Sequence, residues 1–138
     1  MFAILLNSCS VEPESISFGK DQCDFCKMRI VDQTHAAQYV TTKGNQFKFD
    51  AIECLLRELS NPEINAAGLA HILVADYNNP GGMISAKDAT YIICKEIKSP
   101  MGAYLSAFGS DKAAQKVLDE MGGNKYTWDT IQIKFNKK

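Results

Sequence analysis

The stretch AAQYVTTKGNQFKFDAIECLLREL, residues 36–59, decides the fold. Residues 36–42 and 46–49 are β-prone runs on either side of Lys43-Gly44-Asn45, a spacing that predicts a hairpin. Asp50 follows at once with Glu53 three residues on, an acidic variant of the capping box, so Asp50 is expected to cap a helix. Ile52, Leu55, Leu56 and Leu59 then recur at helical spacing and give that helix one apolar face. Asn61-Pro62 ends it, residues 69–75 (LAHILVA) read as a strand, and residues 76–82 (DYNNPGG) read as a loop. The order is strand, strand, helix, strand.

The second half follows the same order. Residues 82–86, 89–94 and 103–108 read as strands. Ser110 is expected to cap a helix whose apolar positions are Ala114, Val117, Leu118 and Met121, with Gly122-Gly123 as its stop. Residues 127–135 read as a final half-buried strand, because Ile131, Ile133 and Phe135 alternate. The fold class is therefore α+β, with two small ββαβ-like units, about residues 21–76 and 82–138. They should pack together, since a unit of about 55 residues is marginal alone.

Composition narrows the function classes. In 138 residues, 46% are apolar and 22% charged, which excludes a disordered chain and a polytopic membrane protein. Fifteen basic against sixteen acidic residues leave a net charge of −1, so nucleic acid is not an expected partner. Five cysteines and five methionines are the unusual counts. The N-terminus carries Leu6-Asn7-Ser8-Cys9, similar to a bacterial lipobox. Residues 1–9 are read as a partial lipoprotein signal, Cys9 as the lipidated residue and residues 10–20 as a tether. A frayed apolar end with an incidental cysteine is the plainer alternative.

Cys23-Asp24-Phe25-Cys26-Lys27-Met28 places three sulfurs in six residues. A C-x-x-C can be half of a zinc site, but no second C-x-x-C or H-x-x-x-H completes it, unless Cys54 and Cys94 are brought in by the fold. It can be a thioredoxin-like redox pair, although that motif sits between a strand and a helix. It can be a structural disulfide outside the cytoplasm. Finally, Met28 beside Cys26 makes a thiolate–thioether pair, the soft donor set that suits Cu(I). Ser99-Pro100-Met101-Gly102 puts a second methionine in a loop, at a place in the second half comparable to that of Met28 in the first.

These elements together resemble the NosL family: D-x-C-x-x-C-x-M from Asp21, Ala36-Ala37-Gln38, Phe49-Asp50 before a helix with Cys54, and Ser99-Pro100-Met101-Gly102 with Ala107-Phe108. The resemblance runs from about Asp21 to Met121 and includes the lipobox. It implies the two-unit fold shared with the N-terminal region of organomercurial lyases. It implies Cu(I) held by Cys26, Met28 and Met101, with Cys23 as a less secure ligand or a disulfide partner of Cys26. It further implies a lipid-anchored copper chaperone in the cell envelope, facing the periplasm. That chaperone would deliver Cu(I) to nitrous oxide reductase and its maturation machinery for the catalytic copper–sulfide centre. A shortened signal and an extension after Met121 depart from the family pattern. A zinc or thiol–disulfide module on the same fold is the alternative.

The remaining candidates have ordinary readings. Cys54 and Cys94 are expected as buried small hydrophobes, His35 and His71 as hydrogen-bonded structural residues, and Met121 as core. Met83 follows Gly-Gly and lies near the joint of the halves. Asp24 and Asp50 are placed to tune the site electrostatically. No Ser–His–Asp set, strong carboxylate pair or phosphate loop is visible, so no enzyme is expected. The enzyme rival is an organomercurial-lyase-like activity.

Overall fold

A computed structural model describes residues 11–136. The signal segment 1–9 with Cys9, and residue 10 of the tether, lie outside the described residues. The elements run β1 (Ala37–Thr41), β2 (Gln46–Phe49), α1 (Ile52–Leu59), a 3₁₀ turn (Ala66–Gly68), β3 (Leu69–Ala75) and β4 (Met83–Ser85). They continue with β5 (Thr90–Ile93), β6 (Leu105–Phe108), α2 (Asp111–Met121), β7 (Asn124–Tyr126) and α3 (Trp128–Asn136). One antiparallel sheet has the order β2-β1-β3-β4 and the other β6-β5-β7. Each sheet contains a ββαβ run, in keeping with the expected α+β class, and the first sheet gains β4 at its edge.

The β1–β2 turn closes with the Thr41 N–H on the Asn45 carbonyl at 3.0 Å, and Gly44 there has φ +90°, a left-handed value suited to glycine. Ser110 caps α2 as expected, its hydroxyl accepting from the Ala113 N–H at 3.1 Å. Gly122, at φ +79°, ends it.

Four expectations need correction. Residues 127–135 are not a strand: β7 lies just before them and α3 takes their place. Thr127 and Thr130 exchange side-chain bonds with each other's backbone N–H, at 3.2 and 2.8 Å, which forms a reciprocal helix cap. Trp128, Ile131 and Phe135 then fall on one helical face, while Ile133 is exposed. Asp50 does not cap α1: Ala51 occupies the cap position with no side-chain bond. Met121 is exposed at the end of α2 rather than core. Residues 11–20 do not hang free. The Glu14 carbonyl accepts from Gln38 Nε2, and Ile16 and Phe18 pack on the core.

A single hydrophobic cluster joins the halves. Tyr39, Phe49, Ile52 and Leu55 meet Tyr91, Leu105 and Ala107, with Trp128 and Ile131 of α3 closing over them. β4 belongs to the first sheet although it follows the expected boundary, and α3 packs on α1. Buried His35 bonds Ser106 across the joint, Nε2 to Oγ at 2.9 Å, which fits its structural reading.

Candidate metal centre

The loop at residues 23–28 is held by its own backbone. The Cys23 N–H donates to the Met28 carbonyl at 2.8 Å, and the Lys27 N–H to the Cys23 carbonyl at 2.9 Å. Lys27 takes the left-handed conformation, φ +66°, that such a closure demands. Asp24 pins the loop to the edge strand β2. Its N–H donates to the Lys48 carbonyl at 2.8 Å, and its carboxylate accepts the Lys48 N–H at 2.7 Å. This fixes the sulfurs at graded depths: Cys23 is fully buried, Cys26 half-buried and Met28 59% exposed.

Cys54 enters from the first turn of α1. The Sγ atoms of Cys23, Cys26 and Cys54 all lie within 4.8 Å of one another, and all three are free thiols. Cys23 is the thiolate of the group, brought down to about 5 first by a hydrogen bond from Cys54, against its burial, and further by backbone N–H groups of Cys26, Asp50 and Phe25. The Cys26 N–H reaches its sulfur at 3.4 Å. The Cys26 thiol is pushed up mainly by burial, and the Cys54 thiol is pushed up by its hydrogen bond to Cys23 and by burial. The first negative charge of the group thus falls on Cys23.

Acidic groups surround that charge. The Asp50 carboxyl is raised by burial and then by the charges of Cys23, Asp32 and Glu53, and its Oδ1 has no partner. Glu58 is raised by burial and by Asp24, with Lys27 opposing. Such surroundings favour a cation over an anion.

Glu53, next to Cys54, is completely buried and turned toward the second half. Its Oε1 accepts from Ser99 Oγ at 2.7 Å, from the Met101 N–H at 3.2 Å and from the Ala103 N–H at 3.4 Å. The loop bearing Met101 is therefore strapped to the helix that bears Cys54. Met101 itself is half-buried against the core cluster that contains Cys23 and Cys54.

Cys23 and Cys26 come together as their spacing suggests, and the loop of Met101 is tied to α1 through Glu53. Cys94 is buried elsewhere, in the second cluster beneath α2, and His71 binds the Val11 carbonyl at 2.8 Å. Met83 lies on β4, beside Leu73, Gln38 and residues 13–18. Glu53 escapes the sequence reading, and Cys54 enters it only as a cysteine that the fold would have to bring in. The first turn of α1 is buried on every side, so helical periodicity there gives no sign of which residues face the loop and which face the second half.

Fold and site together define a small α+β protein with a largely buried three-cysteine centre and an exposed methionine on the same loop. The chain belongs to the NosL family, whose profile it matches over residues 15–135. Among solved structures, the crystal structure of the copper chaperone NosL from Shewanella denitrificans is similar, with TM-score 0.74 and 20% identity over 87% of this chain and 95% of that one. No curated protein matches the chain.

Proposed function

We propose that this protein is a non-enzymatic Cu(I) carrier, anchored to a membrane through lipid on Cys9 and facing the periplasm. It supplies copper to nitrous oxide reductase and its maturation machinery for the catalytic copper–sulfide centre. Cys26, Met28 and Met101 are the proposed donors, with Cys23 beside them. The observation that carries the reading is the convergence of three cysteine sulfurs in acidic surroundings, with the exposed Met28 on the same loop as Cys23 and Cys26. Thiolate and thioether are soft donors that select Cu(I) over oxygen-seeking ions. Family membership and the similar copper chaperone structure support it. Among the described residues no helix is long and apolar enough to cross a membrane, so any attachment by these residues needs another device.

The test is transfer. Reduced chain loaded with one Cu(I) should restore the copper–sulfide centre of copper-free reductase, assembled with its maturation machinery, at copper levels where free ion does not. Equal restoration by free Cu(I) at the same concentration would contradict the carrier reading. Cys9→Ser should release the full-length protein from membranes and leave copper binding unchanged, since an acyl chain contributes roughly 0.8 kcal/mol per buried CH₂. Unchanged membrane association would remove Cys9 as the anchor.

A further inference from the structure

We infer that Cys54 completes an inner, all-thiolate resting position for the carried ion, formed by Cys23, Cys26 and Cys54. The Cys26–Met28–Met101 set is then the exit position, with Cys26 common to both. The inference rests on the carrier reading above and adds where the ion waits and how it leaves.

Geometry is the first support. A metal–thiolate bond of about 2.3 Å in a trigonal plane needs sulfurs about 4 Å apart. The three Sγ atoms already lie within 4.8 Å of one another, so small rotations of the side chains close the position. They come from two independently fixed elements, the pinned loop and the start of α1, where the Cys54 N–H donates to the Ala51 carbonyl at 3.1 Å. No folding of the site on binding is required.

Depth is the second. Cys23 and Cys54 are both 0% exposed, Cys26 is intermediate and Met28 is 59% exposed. An ion among the three thiols is shielded from water on the side of Cys23 and Cys54, and a partner approaches from the side of half-buried Cys26. Cys26 is the one donor able to hold the ion through the passage. As the ion moves outward, its bonds to Cys23 and Cys54 break while bonds to Met28 and Met101 form. Of the two sulfurs released, Cys54 takes up a proton from water and Cys23 stays the thiolate it is in the copper-free centre, and copper stays Cu(I) throughout. Retention and release are thereby assigned to different residues.

The third support is the cost of the arrangement. Two buried free thiols with a third half-buried beside them bring their polar, ionisable sulfurs together rather than dispersing them among apolar side chains. Cys94, buried among apolar side chains of the second cluster, shows what a packing cysteine looks like in the same molecule.

The experiment uses reduced full-length chain without oxygen, with Cu(I) and a competing chelator as the probe. Cys54→Ala should lower Cu(I) affinity by at least about tenfold, as losing even a supporting group does at metal sites. Cys94→Ala should leave it unchanged. The double variant Met28→Leu/Met101→Leu should lose less affinity than Cys54→Ala but give up copper to an acceptor more slowly. Wild-type affinity in Cys54→Ala, or a larger loss in the double variant than in Cys54→Ala, overturns the inner position and leaves the carrier reading standing. Failure of the wild type to bind Cu(I) overturns both. A readout free of mutation is X-ray absorption of Cu(I)-loaded chain carrying selenomethionine. A shell of sulfur alone is expected, and a copper–selenium contact in the resting protein contradicts it.

Discussion

Cys23 shows how three residues of one type acquire different chemistry. It is fully buried, which by itself raises a thiol, yet the Cys54 thiol and surrounding backbone N–H groups hold it as a thiolate. Its value falls from 9.0 to about 5, so across that window the unfolded chain binds a proton that the folded chain does not. Stability from this group is therefore complete above about pH 9 and is lost as pH falls through about 5. Cys26 and Cys54 are shifted upward and work against the folded state only above the ordinary thiol range. The ultraviolet thiolate signal of reduced, copper-free protein should titrate with one group near pH 5 and vanish in Cys23→Ala. A first thiolate appearing only above pH 8, near the free-thiol value of about 8.5, would contradict this assignment. Met101→Leu keeps volume and apolarity at a half-buried position, so copper-free stability should change by less than about 1.5 kcal/mol in urea unfolding.

At the scale of elements, α1 holds the site together by its two faces. Cys54 meets the pinned loop, and the Glu53 carboxylate gathers three donors from residues 99–103. Glu53→Ala leaves those donors buried without an acceptor and should cost at least about 2 kcal/mol in urea unfolding, at 1–3 kcal/mol per orphaned group. Glu53→Gln keeps an acceptor oxygen and should recover part of that loss; an alanine variant as stable as wild type would show that the strap carries nothing. The hairpin, α1, β3 and α2 were legible because their signals are local: a glycine turn, an apolar stripe, a serine cap. The role of Glu53 was not, because a Glu at the third position of a helix is the usual sign of a capping box, and its real partners lie 46 to 50 residues away. The last element misled for a different reason. Ile131 and Phe135 satisfy both a two-residue and a four-residue period, and only the Thr127–Thr130 cap separates the readings. Thr127→Ala should destabilise α3 by about 1 kcal/mol, measured by thermal or urea unfolding.

Over the whole molecule, two small sheets share one core, and the thiol centre sits where α1 is clamped between them. The cysteine–methionine loop was legible as soft-metal chemistry because its donors are adjacent in sequence. The third thiol was not, since only the fold brings Cys54 to Cys23 and Cys26. Copper held there by residues of two elements binds the folded chain more tightly than the unfolded one, where only Cys23, Cys26 and Met28 stay close in sequence. At free Cu(I) a thousandfold above its dissociation constant it should stabilise the protein by up to about 4 kcal/mol. Because one cluster joins the two halves, that gain should reach β5 and β6 of the second sheet by hydrogen exchange, and protection confined to the first sheet would contradict a shared cluster. The central claim is metal choice, and competition between Cu(I) and Zn(II) for the reduced chain without oxygen tests it most directly. The soft sulfur set predicts tight binding of one Cu(I) per chain, undisturbed by excess Zn(II). Zinc displacing Cu(I), or binding more tightly from the outset, would contradict the carrier and make this a zinc–thiolate module on the same fold.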